Sequence, residues 1–443
     1  MGRRYRRKKI PQGEFEAEIE SLSQDGRGVT HIEGKAVFID GALPGEKITF
    51  TYTGTSRKHD DACIANVLIA SEDRVEPRCS SFNRCGGCSL QHLDPQKQIE
   101  FKQQSMLDGL ERIGKVKPEN VLDPLRAEIW GYRRKARLGV RYVRKKERVL
   151  VGFREKRNSF ITDIESCPVL FPAVGEKLTE LGELIKSLEA RASIPQIEVS
   201  VTDRSTVLVF RHLEPLCDAD KEKLLAFGKQ SEFELFLQSG GPDTVVPLGE
   251  VTLPLQYEHP QFDITVNFSP LDFTQVNDQI NQKMVAKAIE FVELEKSDSV
   301  LDLFCGLGNF TLPIARHVKE VVGVEADKAM LERAHENAKS NGLSNTKYYA
   351  ANLMGELEHE PWLKQQWDKI LLDPPRSGAK EVIEHFHKLN AKIIVYISCH
   401  PGTLARDAGE LVHTHGYQLI HAGVMDMFPH TAHVESIAVF KKS

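Results

Sequence analysis

No run of about 18 apolar residues, the length of a helical membrane span, occurs anywhere in the chain. No secretory leader is expected, because the basic N-terminus meets Ile10-Pro11-Gln12-Gly13-Glu14 where a signal peptide needs an apolar core. Repeats and low-complexity tracts are absent. Cysteine is scarce, with eight in 443 residues, which excludes a disulfide-stapled scaffold. A cytosolic protein is therefore expected, its cysteines serving as thiols or metal ligands. What is present is ordinary globular material: 41% hydrophobic and 27% charged residues, incompatible with a disordered or collagen-like chain. At roughly 150 residues per domain the length implies about three domains.

The net charge of −5 is a poor match for a nucleic-acid binder until its distribution is considered. Arg3, Arg4, Arg6, Arg7, Lys8 and Lys9 place +6 in the first nine residues. Across residues 131–157, twelve basic side chains, Arg133 and Arg134 among them, oppose only Glu147 and Glu155, so +10 is concentrated here and the remainder carries −21. An acidic body with two basic segments has a preferred face for a polyanion. Trp130, Tyr132, Tyr142 and Phe153 interleave with the second run, as in a surface that stacks unpaired bases.

Residues 1–11 read as a basic flexible tail. From 12 to 72, short β-type runs broken by turns such as Gly41-Ala42-Leu43-Pro44-Gly45 predict a small OB-like barrel. Residues 73–261 read as a central α+β domain. Within it a helix is expected over 96–113, striped by Ile99, Met106, Leu107 and Leu110. From 262 to 443 helices alternate with apolar strands, the pattern of a Rossmann-like parallel α/β sheet.

Three cysteines lie close together as Cys79-x5-Cys85-x2-Cys88, and Cys167 follows much later. Gly86 and Gly87 relieve the steric cost of the turn that lets thiolates converge. A four-thiolate site results, open by ligand type to zinc or to an iron–sulfur cluster.

The C-terminal region repeats one arrangement five times: an apolar strand with a polar or reactive residue at its carboxyl end. Strand 299–304 leads into Cys305-Gly306-Leu307-Gly308-Asn309, 321–324 ends at Glu325, and 347–350 leads to Asn352. Strand 369–372 ends at Asp373-Pro374-Pro375-Arg376, and 393–397 ends at Ser398-Cys399. Ligands of open α/β sheets bind at that edge, and an acidic residue after the second strand can accept ribose hydroxyls. Gly-x-Gly-x-Phe in place of Gly-x-Gly-x-x-Gly favours S-adenosylmethionine over a dinucleotide.

Cys399 beside a methyl donor points to an electron-poor pyrimidine. Carbon 5 of uracil is too weak a nucleophile alone, but thiolate addition at carbon 6 makes it carbanion-like. A base must then remove the carbon 5 proton. Glu435 is the candidate, with His430 and His433 as alternatives. The target uridine must be unpaired or flipped out of its stack.

These residues resemble the bacterial RNA 5-methyluridine methyltransferases, and within them the iron–sulfur branch acting on 23S ribosomal RNA. The resemblance spans nearly the whole chain. It implies that residues 12–72 form a TRAM domain and that Cys79, Cys85, Cys88 and Cys167 hold a [4Fe–4S] cluster. Phe268-x-Pro270-x-x-Phe273-x-Gln275-x-Asn277 matches the motif opening the catalytic domain. By that resemblance Gln275, Phe304, Asn309, Glu325, Asn352 and Asp373 line the cofactor site. Phe273 lies near the substrate base, Cys399 is the nucleophile and Glu435 the base. Two positions depart from the family pattern, His400 for asparagine and Ala432 for glycine. The resemblance also lets the helix near 96–113 pack on the catalytic domain. Its tRNA-modifying members typically lack both the TRAM domain and the cluster, so a monomeric enzyme of 23S rRNA is expected. An N6-adenine methyltransferase is the weaker reading, since Arg376 replaces the aromatic after Asp373-Pro374-Pro375. A non-catalytic ribosome-assembly factor would have no use for the cofactor edge.

Overall fold

The computed structural model describes residues 10–442 apart from Thr252, so most of the basic tail lies outside the described residues. Two compact units result. The first takes residues up to 101 with 154–159 and 429–433; the second takes 102–153, 160–428 and 434–443.

The first unit is built on β1 (Phe15–Glu18), β2 (Ser21–Leu22), β3 (Gly28–Ile32), β4 (Lys35–Asp40), β5 (Lys47–Thr55) and β6 (His59–Ile69), in the order β1-β5-β6-β4-β3-β2. Alternation in β1 turns Phe15 and Ala17 inward and Glu16 and Glu18 to solvent. Its outermost strands are halves of one bent stretch. Between them Ile19 N–H donates to Glu46 O and Glu20 N–H to Val29 O, so the sheet curls around Ile19, Val37, Ile39, Ile48 and Phe50. Glu46 closes the glycine–proline turn: its buried carboxylate accepts Leu43 N–H at 2.8 Å and Arg74 Nε at 2.5 Å. Removing one partner of such a pair typically costs about 3–5 kcal/mol.

The second unit holds two sheets and a hairpin. β7 (Asn120–Val121) forms one edge of an eight-stranded sheet. β8 (Lys135–Val143), β9 (Arg148–Gly152), β10 (Gln196–Val201), β11 (Thr206–Arg211), β12 (Phe233–Gln238) and β13 (Val245–Leu248) form a six-stranded sheet, order β13-β12-β11-β10-β8-β9. β14 (Gln256–His259) and β15 (Ile264–Asn267) form the hairpin. The sequence boundary at 261/262 therefore falls inside a turn. Pro260, which fixes φ, and Asp263, at φ +53°, bring the two runs together.

The catalytic sheet comprises β16 (Ser299–Leu303), β17 (Glu320–Glu325), β18 (Thr346–Ala350), β19 (Lys369–Leu372), β20 (Ile393–Ser398), β21 (Tyr417–Met425) and β22 (Glu435–Lys442). Its order is β18-β17-β16-β19-β20-β22-β21-β7. β16 to β20 are parallel, and β22 runs antiparallel between β20 and β21. The near-continuous apolar runs of β19 and β20 reflect burial on both faces.

The expected N-terminal helix is present as Pro95–Gly109, continued by a wider turn at Leu110–Gly114 that ends on left-handed Lys115. From Lys102 onward it belongs to the second unit and packs against the helix Pro401–His413. A Cβ at Gly114 would lie 2.4 Å from Ala405 O, so glycine is what permits the contact.

Candidate active site

The site is assembled at the carboxyl edge of the catalytic sheet. After β16 the chain turns sharply, with Phe304 at φ +64°, Gly306 at +55° and Gly308 at +92°. A non-glycine residue in that region stores about 1–3 kcal/mol. The turn is held by Cys305 N–H to Val324 O at 3.1 Å and Gly306 N–H to Glu325 Oε2 at 3.2 Å. Glu325 Oε1 accepts Ala326 and Asp327 N–H at 2.7 and 3.0 Å, so one carboxylate ties the glycine loop to the next helix. Ala351 N–H bonds Glu325 O, and Asn352 Oδ1 accepts Met354 N–H at 3.1 Å.

Asn309 is differently placed from the other cofactor candidates. Its Oδ1 accepts Tyr257 OH at 3.1 Å, His259 Nε2 at 3.0 Å and Asn281 Nδ2 at 3.1 Å, and its Nδ2 donates to Asn281 Oδ1 at 2.9 Å. The amide is engaged by protein on both ends. Its local role is to lock the glycine loop to the β14–β15 hairpin and to the helix Asp278–Val292. Tyr257, His259 and Asn281 were missed by sequence reasoning because nothing local marks them.

Cys399 and Glu435 meet because β22 runs backwards. Ser398 pairs with Ser436 in the antiparallel ladder, so Cys399, one step after, and Glu435, one step before, lie on the same edge. Their electrostatics agree. Burial and then the Glu435 and Asp373 carboxyls push the Cys399 thiol up to about 11, with Arg376 opposing. Burial, then Asp373, holds Glu435 well above the usual carboxyl range, again opposed by Arg376. Burial pushes Asp373 up to about 7. Arg376 is thus the cation serving this cluster, a role invisible while it was judged only as a missing aromatic. Its loop is pinned by Thr403 Oγ1 to Arg376 O at 3.2 Å and Arg406 Nη2 to Ser377 O at 3.0 Å. His400 accepts Thr403 N–H through Nδ1 at 3.3 Å and so caps the helix that begins at Pro401. The departure from asparagine keeps the capping acceptor.

Asp302, fully buried behind the glycine loop, accepts Thr311 Oγ1 at 2.5 Å. Burial foremost, then the Asp373 and Glu325 carboxyls, push it up to about 7, against the Thr311 hydrogen bond. In an unfolded chain Asp302 and Asp373 would ionise near 4. Between about pH 4 and 7 the folded protein therefore holds protons that the unfolded chain has lost, and stability falls as pH rises. The thermal midpoint is expected to drop by several degrees from pH 5 to pH 8. Asp302→Asn, which keeps an acceptor for Thr311, should flatten that slope in calorimetry; an equally steep decline in the variant would refute the assignment.

Gln275 and Phe273 lie on the loop between β15 and the helix Asp278–Val292; Gln275 is half-buried and Phe273 is 66% exposed. The basic segment differs from its sequence reading. Tyr132 is buried, and Trp130, Tyr142 and Phe153 are half-buried, so no open stacking surface runs along it. Arg134 pairs with Asp203 at 2.7 Å, Arg137 with Glu198 at 2.5 Å and Arg148 with Asp163 at 2.8 Å. Arg133 Nε donates to Lys135 O at 3.1 Å. Arg141, on β8, and Arg144, Lys145 and Lys146, at the tip of the β8–β9 hairpin, are exposed, as is Arg154.

Among the described residues no group of three or more Cys, His, Asp or Glu side chains is gathered as a metal site, so the four-thiolate arrangement is not displayed. Cys79, Cys85 and Cys88 belong to the first unit and Cys167 to the second. His430 and His433 also belong to the first unit. There His430 is buried at φ +66°, its N–H donating to Gln98 Oε1 at 2.8 Å and its carbonyl accepting Ser89 and Leu90 N–H. These backbone contacts tie the 429–433 segment to Ser89, Leu90 and Gln98. Ala432 packs its methyl with Leu43, Leu90 and Leu93. No described helix is long and apolar enough to cross a membrane.

The family model described as tRNA (Uracil-5-)-methyltransferase matches residues 263–443. The crystal structure of Pyrococcus abyssi tRNA (uracil-54, C5)-methyltransferase in complex with S-adenosyl-L-homocysteine superimposes with a TM-score of 0.72 at 25% identity, covering 96% of this chain and 100% of that one. Fold and site together define a Rossmann-like S-adenosylmethionine-dependent methyltransferase. A 23S rRNA (uracil(1939)-C(5))-methyltransferase RlmD from Stenotrophomonas maltophilia (strain K279a) is 52% identical over 98% of this chain and 99% of its own length. Its counterpart from Francisella tularensis subsp. novicida is 50% identical over the full length of both. The chain belongs to this RlmD family of uracil-C5 methyltransferases.

Proposed function

We propose that the protein is a cytoplasmic enzyme that methylates carbon 5 of one uridine in 23S ribosomal RNA through a covalent Cys399 adduct. The observation that carries the reading is the opposition of Cys399 and Glu435 across β20 and β22, at the edge where the glycine loop and Glu325 also lie. S-adenosylmethionine supplies an electrophilic methyl group when bound. Phe304, Glu325, Asn352, Asp373 and Gln275 would surround it, and Asn309 would contribute through the loop it fixes. The Cys399 thiolate adds to carbon 6, and the electron pair released onto carbon 5 takes the methyl. Glu435 then removes the carbon 5 proton, the carbon–sulfur bond breaks and the ring double bond returns. One proton is released per methyl transferred.

The exposed hairpin tip and the curled sheet of the first unit, read as a TRAM domain, offer the RNA its phosphate contacts. Identity near 50% to 23S enzymes, against 25% to the tRNA enzyme, favours ribosomal RNA.

A [4Fe–4S] cluster on Cys79, Cys85, Cys88 and Cys167 remains part of the proposal. Its support in the first unit is the surroundings of the thiols. Gly87 N–H donates to Cys85 Sγ at 3.4 Å. The Lys156 ammonium, lowered chiefly by burial, feels Asp40, then Cys88, Cys63 and Cys85, and lies 4.2 Å over the Phe82 ring. A cation and an N–H directed at sulfur stabilise thiolates.

One preparation tests both claims. Anaerobically purified protein is expected to carry iron and sulfide, and to place labelled methyl on carbon 5 of uridine in unmodified 23S RNA. Label on adenine, or on no base at all, would overturn the activity; protein without iron and sulfide would overturn the cluster alone.

A further inference from the structure

Residues 268–277 contain neither helix nor strand, yet they carry both Phe273 and Gln275. Phe268 is anchored at its start by N–H to Leu255 O at 3.0 Å and by burial of its ring. Four further positions, Pro270, Asp272, Val276 and Asn277, are tied to neighbouring elements. Lys135 Nζ donates to Pro270 O and, at 2.7 Å, to Ser200 Oγ, while Ser200 Oγ donates to the same carbonyl at 2.9 Å. On the opposite flank Arg333, from the helix Lys328–Ser340, donates to Asp272 Oδ1 at 2.5 Å. Asp272 is buried, and its Oδ2 accepts Ser269 N–H at 2.6 Å. Farther along, Arg134 N–H donates to Val276 O at 2.9 Å, and Arg133 bridges to Asn277.

Two features separate this clamp from ordinary packing. Phe273, the residue after the clamped Asp272, is 66% exposed, a large apolar ring turned largely to solvent. Lys135, one of the twelve cations of the basic segment, has its ammonium hydrogen-bonded to protein instead of offered to solvent. The six-stranded sheet thereby reaches the reaction site through one lysine and one serine.

We propose that Lys135, Ser200 and Arg333 are positioning residues that hold the 268–277 loop so that Phe273 meets the target uracil and Gln275 meets the methyl donor. The inference rests on the function proposed above. Displacing reacting partners by an ångström costs on the order of 10²-fold in rate, whereas loss of a phosphate contact weakens RNA binding and lowers its salt slope by about 1. The two roles therefore give opposite signatures.

The test uses the full-length protein with an rRNA fragment. Lys135→Met and Arg333→Met are expected to lower single-turnover methyl transfer by about 10²-fold. The RNA Kd and its salt dependence should stay at wild-type values. Ser200→Ala should show a smaller loss that Ser200→Thr recovers, because the hydroxyl returns. If Lys135→Met instead weakens RNA binding and leaves the rate of bound RNA unchanged, Lys135 is a phosphate contact and the clamp is refuted. Should Lys135→Met fail to fold, the serine pair decides, since an unimpaired Ser200→Ala overturns the proposal. A wild-type protein that transfers no methyl to uridine would defeat the functional reading itself, a result distinct from any of these.

Discussion

Replacing Cys399 with alanine is expected to abolish methyl transfer, with a loss on the order of 10⁶-fold, the scale of nucleophile deletions. RNA binding and folding should survive, because the side chain is only half-buried and loses a single sulfur. Three consequences tie the loss to covalent chemistry. No RNA–protein adduct should form in the variant under denaturing electrophoresis. Exchange of the carbon 5 hydrogen into solvent, which also requires the adduct, should vanish in parallel. In the wild type, a thiol pushed up to about 11 by burial and by Glu435 and Asp373 is largely protonated at neutral pH. Turnover of the free enzyme should therefore climb with pH through the neutral range, since the thiolate is the reacting species. Retention of more than a trace of carbon 5 methylation by Cys399→Ala would remove the proposed route.

Glu435→Gln is expected to act later in the same reaction. The amide keeps the shape of the carboxyl but cannot take a proton, so the methylated ring stays bonded to sulfur. Multiple turnover should fall by about 10²–10⁴-fold, while labelled methyl accumulates in a covalent RNA–protein species. A second effect is expected in the opposite direction. The Glu435 carboxyl helps hold the Cys399 thiol high, so the neutral amide should let the thiol ionise at lower pH. Adduct formation in Glu435→Gln should then begin at lower pH than in the wild type. A variant that turns over normally, or forms no adduct at any pH, would exclude Glu435 as the base.

The parts legible in the sequence were those with local causes. The apolar runs of β16, β17, β19 and β20 are largely buried, and the polar residue after each marks a carboxyl end, so Glu325, Asp373 and Cys399 could be found without knowing strand order. β18, at the sheet edge, is only half-buried. Helix 95–109 showed its buried stripe. What escaped notice depended on partners distant in the chain. The reversal of β22, which places Glu435 opposite Cys399, is a property of pairing and leaves no mark in the local pattern. Asn309 looked like a ligand residue by position, and its three donors come from a hairpin and helix 28 to 52 residues away. Lys135 and Tyr132 were counted with a basic, aromatic surface because composition records charge without burial. The boundary at 261/262 falls within the turn at Pro260–Phe262, because the two short strands flanking it show their partnership only through pairing.

The composition of the first unit has a consequence for biosynthesis. That unit includes residues 429–433, and the Gln98–His430 and Ser89–His430 hydrogen bonds join positions more than 330 apart. A ribosome making this chain must add more than 330 residues after Ser89 and Gln98 before those bonds can close. The strands of residues 15–69 can curl early, but the stretch around Ser89 and Gln98 waits for His430, and a product cut short before it would leave that stretch unsealed.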